Sequence, residues 1–299
     1  MTQKYNQVIW MNGQFVKTND AQVHVMSHSL HYAGSVFEGI KSYAVGNQQI
    51  IFRLDDHVTR LFESARRYSW EIPYSIEEVR AAIIELVNRN RGTDLYIRPL
   101  FFMGLGYDTI EITEQLEKNL IISCWQLNKN DYEYQLGVSP YIRPPHNVLD
   151  MESKCAANYV NSIRIRTEAK SRGYHDAISC DINGYVAEIS TANIFFNKDN
   201  VLYTPSPDCS ILNGITRQSI IQLAIDLGYQ VEEGQYTPDQ LLAAENIFVT
   251  GTAAEMKNVK SIEGQEFVKN TMYTELNQLF YKILNLQVDD YKHWITYVE

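Results

Sequence analysis

The sequence predicts a two-domain α/β (α+β) protein. Apolar runs of strand length alternate with amphipathic helical stretches along most of the 299 residues. Turn pairs of the Asn-Gly type separate several of the short strands. The polar stretch 128–135 has no periodic pattern and is expected to be a linker. We therefore expect a smaller N-terminal domain over 1–127 and a larger C-terminal domain over 136–299.

The N-terminal domain is expected to be an antiparallel sheet with helices on one side. Asn12-Gly13 and Gly46-Asn47 are turn pairs that connect antiparallel strands in hairpins. Ser75 and Glu78 have the spacing of a capping box at the start of a helix. The predicted elements are hairpins over 7–16 and 36–54, helices over 56–68 and 76–90, and strands over 95–103 and 119–127.

The C-terminal domain is expected to mix strands and helices. Gly228 follows the last apolar position of its second helix and should end that helix, because glycine adopts the left-handed conformation of a C-cap easily. The predicted elements are a strand near 136–142, a helix over 156–172, a hairpin over 177–187 across Asn183-Gly184, a strand over 193–197, a helix over 215–227 and a strand that ends in the turn 249–254.

The composition excludes several classes of function. A net charge of -10 argues against binding to nucleic acid or to an acidic membrane surface. The chain has no apolar signal core and no run of the roughly 18 to 20 apolar residues that span a bilayer, so we expect a cytoplasmic protein that acts on small molecules. The four dispersed cysteines suggest neither a zinc site nor disulfides. His24, His28 and His31 lie in an apparently extended segment without nearby acidic ligands, and we expect no metal.

The stretch from Glu188 to Arg217 contains two parts of a pyridoxal phosphate site. Glu188 begins a predicted strand, and its carboxylate can pair with the ring nitrogen of the cofactor. The motif Leu-Asn-Gly-Ile-Thr at 212–216 opens a helix, and the N–H groups of a helix N-terminus bind phosphate. The third part is a lysine that forms a Schiff base. Lys154 precedes both parts, although by itself it would be read as a surface charge.

These motifs resemble those of fold type IV, class IV pyridoxal-phosphate aminotransferases, and in particular the branched-chain amino-acid aminotransferases. After Glu188 come Asn-Ile-Phe, Leu-x-Thr and Leu-x-Gly-Ile-x-Arg at the typical spacings. The segment 154–159 is similar to Lys-x-x-Gly-Asn-Tyr with Ala157 in place of glycine, and 57–65 is similar to His-x-x-Arg-Leu-x-x-Ser-Ala. The likeness extends from about 10 to 262. It implies a barrel-like C-terminal domain, a cofactor bound between the domains, and a homodimer or higher homo-oligomer.

The resemblance also implies a role for each residue around pyridoxal 5'-phosphate. Lys154 would form the Schiff base and carry a proton between the substrate Cα and the cofactor C4′. Tyr159 would donate to the phenolic oxygen of the cofactor, and Glu188 would keep the ring nitrogen protonated. The other predicted cofactor-binding residues, most of them around the phosphate, are Arg60, Leu212, Gly214, Ile215, Thr216 and Thr252.

The substrate side is implied by two further stretches, 30–40 and 95–100, which look like branched-chain aminotransferase motifs. Phe37, Tyr96 and Tyr159 would form an apolar wall around the substrate side chain. A neighbouring subunit would supply Tyr32. Arg98, Tyr96 and the backbone of the 252–253 turn would bind the substrate carboxylate. The predicted substrate-binding residues are Tyr32, Phe37, Gly39, Tyr96, Arg98, Thr252 and Ala253.

The implied reaction is transamination of leucine, isoleucine or valine with 2-oxoglutarate in a ping-pong cycle, an activity of branched-chain amino acid biosynthesis. Three stretches depart from the family pattern: 148–153 lacks an expected proline, 190–192 replaces Gly-x-Gly-Glu, and the loop 104–118 is charged. They bear on substrate choice more than on the cofactor. The alternatives are a D-amino-acid or (R)-amine aminotransferase, a lyase of the aminodeoxychorismate type, and a non-catalytic homologue. Tyr96-Ile97-Arg98 argues against the first of these.

Overall fold

The computed structural model describes residues 8–106, 109–127 and 132–298, which form two compact units. Of the predicted linker 128–135, residues 128–131 lie outside the described part and residues 134–135 already belong to a strand. Among the described residues, the first unit contains 8–127, 153–157 and 288–298, and the second contains 132–152 and 158–287.

The first unit is built on one antiparallel sheet. Its elements are β1 (Val8–Met11), β2 (Gln14–Lys17), α1 (His28–Tyr32), β3 (Ser35–Phe37), β4 (Ile40–Val45), β5 (Gln48–Phe52), α2 (Leu54–Arg66), α3 (Ile76–Asn88), β6 (Leu95–Met103), β7 (Lys118–Trp125) and, near the C-terminus, β17 (Ile295–Val298). The strand order is β17-β5-β4-β6-β7-β1-β2, and β3 pairs with β6. Every pair of strands in this order is antiparallel, as predicted.

Local signals in the sequence account for the turns and helix starts of this unit. Asn12 and Gly13 both have positive φ angles, as a tight two-residue hairpin turn requires. The capping box of α3 is formed: the Glu78 N–H donates to Ser75 Oγ, and the Ser75 N–H donates to the Glu78 carboxylate. Both helices lie within two residues of their predicted bounds.

The core of the first unit lies between the sheet and helices α2 and α3. Val58 and Leu61 of α2 and Ile83 and Leu86 of α3 are buried in one cluster with apolar residues of β3 to β7. Apolar residues at helical spacing explain this arrangement, since each helix buries one face against the sheet.

The second unit contains β8 (Tyr134–Val138), α4 (Asn158–Ser171), β9 (Asp176–Cys180), β10 (Val186–Ile189), β11 (Asn193–Lys198), β12 (Val201–Pro205), α5 (Ile215–Asp226), β13 (Gln230–Gly234), α6 (Pro238–Leu242), β14 (Asn246–Gly251), β15 (Glu255–Ile262), β16 (Gln265–Glu266) and α7 (Thr271–Leu284). Its sheet has the order β10-β9-β8-β15-β14-β11-β12-β13, and β16 pairs with β15. The pairs β8–β9, β8–β15 and β12–β13 are parallel, so this sheet is mixed.

The sheet of the second unit curls until its two ends meet. The Val186 N–H in β10 donates to the Tyr236 carbonyl just beyond β13, at 2.8 Å. Since β10 and β13 are the two ends of the strand order, this hydrogen bond gives the barrel-like form that was predicted. Apolar residues of β10, β11, β14 and β15 fill the interior.

The two units are not separated by a single linker, because segments from later in the chain also belong to the first unit. The segment 153–157 returns to the first unit, where the backbone of Cys155 forms an isolated antiparallel β-bridge with Val36 of β3. The last strand, β17, adds to the edge of the first sheet by pairing with β5. Within the described residues, none of the helices is long and apolar enough to cross a membrane.

Candidate active site

Lys154 lies on a segment whose backbone is fixed by α2 and β3. The Lys154 N–H donates to Ser64 Oγ at 3.0 Å, and the Phe37 N–H donates to the Lys154 carbonyl at 3.1 Å. The half-buried Lys154 side chain places Nζ 5.3 Å from the centroid of the Phe37 ring. The first unit thus holds the predicted catalytic lysine beside the predicted substrate wall, over an aromatic face that attracts a cation.

Arg60 is paired with a carboxylate that was not among the predicted site residues. Glu38 is fully buried, and it accepts from Arg60 Nε at 2.6 Å and from Arg60 Nη2 at 2.9 Å. His57 Nδ1 lies 2.7 Å from the same carboxylate. Two donors of the guanidinium therefore fix its plane in a bidentate pair.

The protonation states within this cluster follow from its burial and charges. Burial would raise the pKa of Glu38, but the charge of Arg60 and the hydrogen bonds from Arg60 and His57 outweigh it, and the pKa lies well below the ordinary value. Burial lowers the pKa of His57, and Glu38 offsets this only in part. We therefore assign an ionised Glu38 and a neutral His57 that donates through Nδ1.

Arg98 lies among three aromatic rings. The centre of its guanidinium is 4.5 Å from the centroid of Phe37 and 5.6 Å from the centroids of Tyr96 and Trp125. Its Nε is buried and has no hydrogen-bond partner among the described residues. Arg98 therefore combines a positive charge with apolar surroundings. Trp125 was not among the predicted residues, and it reaches Tyr96 because β6 and β7 pair in that register.

Gly39 allows the hydroxyl of Tyr96 to approach the backbone. A Cβ atom at Gly39 would lie 2.0 Å from Tyr96 Oη, far inside any real contact distance. Glycine at the β3–β4 junction thus leaves room for the Tyr96 hydroxyl, which occupies the space of a side chain there. Tyr32, on α1, is 45% exposed, and its ring contacts His28.

Each of His24, His28 and His31 has a ring nitrogen within hydrogen-bond distance of a backbone group. His24 Nδ1 accepts from the Met26 N–H, His28 Nε2 lies 3.1 Å from the Ile110 carbonyl, and His31 Nε2 lies 3.0 Å from the Val25 carbonyl. His28 and His31 lie on helix α1, which corrects the expectation of an extended segment.

In the second unit, Glu188 is buried at the end of β10 among polar groups. Arg143 Nη2 donates to Oε1, the Asn193 amide donates to Oε2 at 3.0 Å, and the Leu212 N–H approaches Oε1 at 3.4 Å. Arg143 also donates to Ser162 Oγ of α4. Arg143 was not predicted, because no local pattern distinguishes it from other arginines. The pair presents an oriented carboxylate with a fixed counter-charge.

The segment that leads into α5 approaches the same carboxylate through the Leu212 N–H. Gly214 is the N-cap, and a Cβ there would lie 2.2 Å from Asn193 Oδ1. The Asn193 amide also donates to the Leu212 carbonyl at 2.8 Å, which fixes the approach to the helix. Ile215 and Thr216 follow in the first turn and are buried. A helix N-terminus attracts anions through its N–H groups and its dipole.

The turn between β14 and β15 lies beside this region of the second unit. It contains Thr252 and Ala253, and Gly251 pairs with Glu255 across it. A Cβ at Gly251 would lie 3.5 Å from the Thr191 carbonyl, just after β10. Tyr159 is half-buried in the first turn of α4, next to Asn158, whose amide donates to the Asp150 carbonyl.

Each unit carries groups that fit pyridoxal phosphate. The second unit has a buried carboxylate and a helix N-terminus whose N-cap glycine packs against Asn193. The first unit has a lysine with a fixed backbone and an arginine whose guanidinium is held by Glu38. The sequence matches the profile of the amino-transferase class IV family over residues 35–262. The chain belongs to the class IV aminotransferases.

Sequence relatives and a solved structure place this aminotransferase within the family. The branched-chain-amino-acid aminotransferase of Escherichia coli (strain K12) is 35% identical over 100% of this chain and 99% of its own length. A probable branched-chain-amino-acid aminotransferase of Rickettsia conorii is 41% identical over 85% of this chain and 87% of its own. The branched-chain amino acid aminotransferase of Thermobaculum terrenum, solved in its pyridoxal phosphate form, has a TM-score of 0.93 and 28% identity over 99% of this chain and 100% of its own.

These comparisons confirm the predicted family and the fold type IV architecture. They also confirm the predicted enzyme class, a branched-chain-amino-acid aminotransferase that uses pyridoxal phosphate. The roles assigned to individual residues stay predictions.

Proposed function

We propose that this aminotransferase transfers the amino group of L-leucine, L-isoleucine or L-valine to 2-oxoglutarate and yields the branched 2-oxo acid and L-glutamate. The observation that carries the proposal is Arg98 among Phe37, Tyr96 and Trp125. Aromatic faces suit an alkyl side chain, and a half-buried guanidinium suits a carboxylate. A ping-pong enzyme needs both in one place, because the branched donor and the acidic acceptor bind in turn.

Lys154 is proposed as the catalytic base. When bound, pyridoxal phosphate supplies a carbonyl that bonds an amine and a ring that accepts the electrons of the broken C–H bond. Lys154 Nζ would anchor the cofactor in the resting enzyme and take the proton from the substrate Cα. The hydrogen bonds of its backbone to Ser64 and Phe37 support this role, since a base must be held in position.

Glu188 and Tyr159 are proposed to hold the ring of the cofactor. Glu188 would accept a hydrogen bond from the ring nitrogen and favour its protonated form. Arg143 and Asn193 orient the carboxylate for this. Tyr159 would donate to the phenolic oxygen from the start of α4. The electrostatic contribution of Glu188 grows as charge develops on the ring, so it acts on rate more than on binding.

The phosphate is proposed to bind the N-terminus of α5, Thr252 and Arg60. The N–H groups of Ile215 and Thr216 supply hydrogen bonds and the positive end of the helix dipole. Leu212 and Gly214 shape the approach to that helix. The bidentate pair with Glu38 supports the role of Arg60, because a guanidinium held in a fixed plane binds an anion without being ordered first.

The substrate is proposed to contact Phe37, Tyr96 and Tyr159 through its side chain. The missing side chain at Gly39 leaves space for the Tyr96 hydroxyl. The carboxylate would bind the backbone N–H groups of Thr252 and Ala253, and Arg98 would bind the second carboxylate of glutamate. Steady-state assays of the holoenzyme with L-leucine, D-alanine and an (R)-amine test the proposal. The proposal is supported if the enzyme turns over L-leucine and neither of the other two substrates. If it turns over the D-amino acid or the amine and not L-leucine, the proposed substrate is wrong.

A homodimer is proposed in which Tyr32 serves the site of the second copy. The segment around α1 exposes apolar side chains that a monomer would leave in water, including Val25 at 72% and Leu30 at 65% exposure. A second copy covers them. Leu30→Asp should convert the dimer to a monomer in light scattering, because a charge would be buried in the interface. A dimer that persists would place the interface elsewhere.

We also propose that the enzyme works in the cytoplasm. Its four cysteines, all within the described part of the chain, are free thiols, three of them buried. A reducing compartment keeps such thiols reduced.

A further inference from the structure

The residue that follows the turn between β14 and β15 has an unfavourable conformation. Glu255, which pairs with Gly251, has a φ of 56°. Left-handed positions at tight hairpins are usually glycine or asparagine. The Cβ of glutamate makes the left-handed region unfavourable. An interaction outside the turn must therefore hold Glu255 in place.

Helix α7 supplies one such interaction. Glu255 is only 7% exposed, and its Oε2 accepts a hydrogen bond from the Tyr281 hydroxyl at 2.6 Å. Helix α7 is itself fixed to the sheet, because the ring of Tyr273 packs on Phe248 of β14. The carboxylate therefore connects the turn to a packed helix.

The strands on either side of the turn leave it little other freedom. Thr250 is fully buried and Met256 is 2% exposed, so the strand ends are held by the core. The conformation of Glu255 then decides where the N–H groups of Thr252 and Ala253 point. A local conformation that conflicts with the residue type at a turn of this kind is characteristic of a functional site.

We propose that Glu255 and Tyr281 are positioning residues that aim the N–H groups of Thr252 and Ala253 at the cofactor phosphate and the substrate carboxylate. This inference rests on the proposed function, which assigns those two anions to the turn. Hydrogen-bond donors that are oriented in advance bind anions without the cost of ordering the loop. Neither positioning residue touches the reacting atoms.

The test compares Tyr281→Phe with Tyr229→Phe. Tyr229 makes a bond of the same kind and length at a more exposed position, since its hydroxyl donates to Glu275 of the same helix α7 at 2.6 Å. The dissociation constant of pyridoxal phosphate is measured by dialysis of the holoenzyme, together with KM and kcat for L-leucine. We expect Tyr281→Phe to raise the dissociation constant and KM about tenfold, as for loss of a hydrogen bond to a charged group, with kcat within about twofold. Tyr229→Phe should match the wild type in all three.

Two further variants separate positioning from simple stabilisation. Glu255→Gly removes the tether and the unfavourable conformation together, so cofactor affinity should fall while the thermal midpoint stays at or above that of Tyr281→Phe. Glu255→Gln keeps an acceptor for Tyr281 and should restore affinity to within about threefold of the wild type.

The inference is overturned if Tyr281→Phe and Glu255→Gly both bind pyridoxal phosphate and L-leucine as tightly as Tyr229→Phe does. It is also overturned if affinity falls only in proportion to the thermal midpoint. A wild-type protein that binds no pyridoxal phosphate would overturn the proposed function and this inference together. The two failures are therefore distinguishable in one set of measurements.

Discussion

The substitution Gly39→Ala gives the sharpest steric test of the substrate site. The new Cβ would lie 2.0 Å from Tyr96 Oη and 2.8 Å from Tyr96 Cζ. The hydroxyl would have to move from 2.0 to at least 3.4 Å, a displacement of about 1.4 Å, to reach an ordinary contact. The end of a tyrosine side chain can move by rotation, so the fold should survive. The wall of the substrate pocket should not.

The magnitude follows from the size of this displacement. A misplacement of about 1 Å near a reacting centre costs on the order of 100-fold in rate. Since Tyr96 is proposed to contact substrate and not to transfer protons, most of the loss should appear in KM for L-leucine. Pyridoxal phosphate retention and the thermal midpoint should stay close to the wild type. Steady-state kinetics of the holoenzyme, with cofactor content measured on the same samples, provide the assay.

A double-mutant cycle with Tyr96→Phe checks the cause. Tyr96→Phe removes the atom at 2.0 Å, so Gly39→Ala should cost much less in that background. Gly39→Ala with an unchanged KM would show that Tyr96 does not wall the substrate pocket. The same loss in both backgrounds would show that the hydroxyl is not the group displaced.

Three other substitutions test the remaining roles. Lys154→Ala should abolish transamination in a folded protein, because no other base is proposed, and substantial residual turnover would contradict the mechanism. Arg60→Ala should raise the dissociation constant of pyridoxal phosphate at least tenfold by removing a charged hydrogen bond, and an unchanged value would remove Arg60 from the phosphate site. Glu188→Gln should lower kcat about 100-fold while cofactor content changes little, measured by kinetics and absorbance, and equal losses in both would assign Glu188 to binding alone.

Much of the fold follows from signals that act over a few residues. The Asn12-Gly13 turn and the capping box of Ser75 and Glu78 were predictable because each is complete within four residues of sequence. The helices α3 and α5 followed from their apolar positions in the same way. The return of 153–157 to the first unit and the pairing of β17 with β5 were not predictable, since their partners lie far away in the sequence.

The residues of the candidate site also fall into those that a local motif predicts and those that only distant contacts reveal. Lys154, Glu188 and the 212–216 motif stand in recognisable stretches of sequence. Glu38 and Arg143 do not, because the contacts that distinguish them are made to Arg60 and Glu188, 22 and 45 residues away. Nothing near Glu255 in the sequence indicates its left-handed conformation either. Groups that orient other groups are visible only once the chain is folded.

The absorption spectrum of the purified protein, recorded before and after addition of L-leucine, tests the proposed cofactor and substrate together. We predict a visible band from pyridoxal phosphate bound to Lys154, which L-leucine converts to a near-ultraviolet band and 2-oxoglutarate restores. A band that ignores L-leucine and responds to a D-amino acid or an amine would contradict the proposed substrate. No visible band, even after addition of pyridoxal phosphate, would contradict the proposed cofactor site itself.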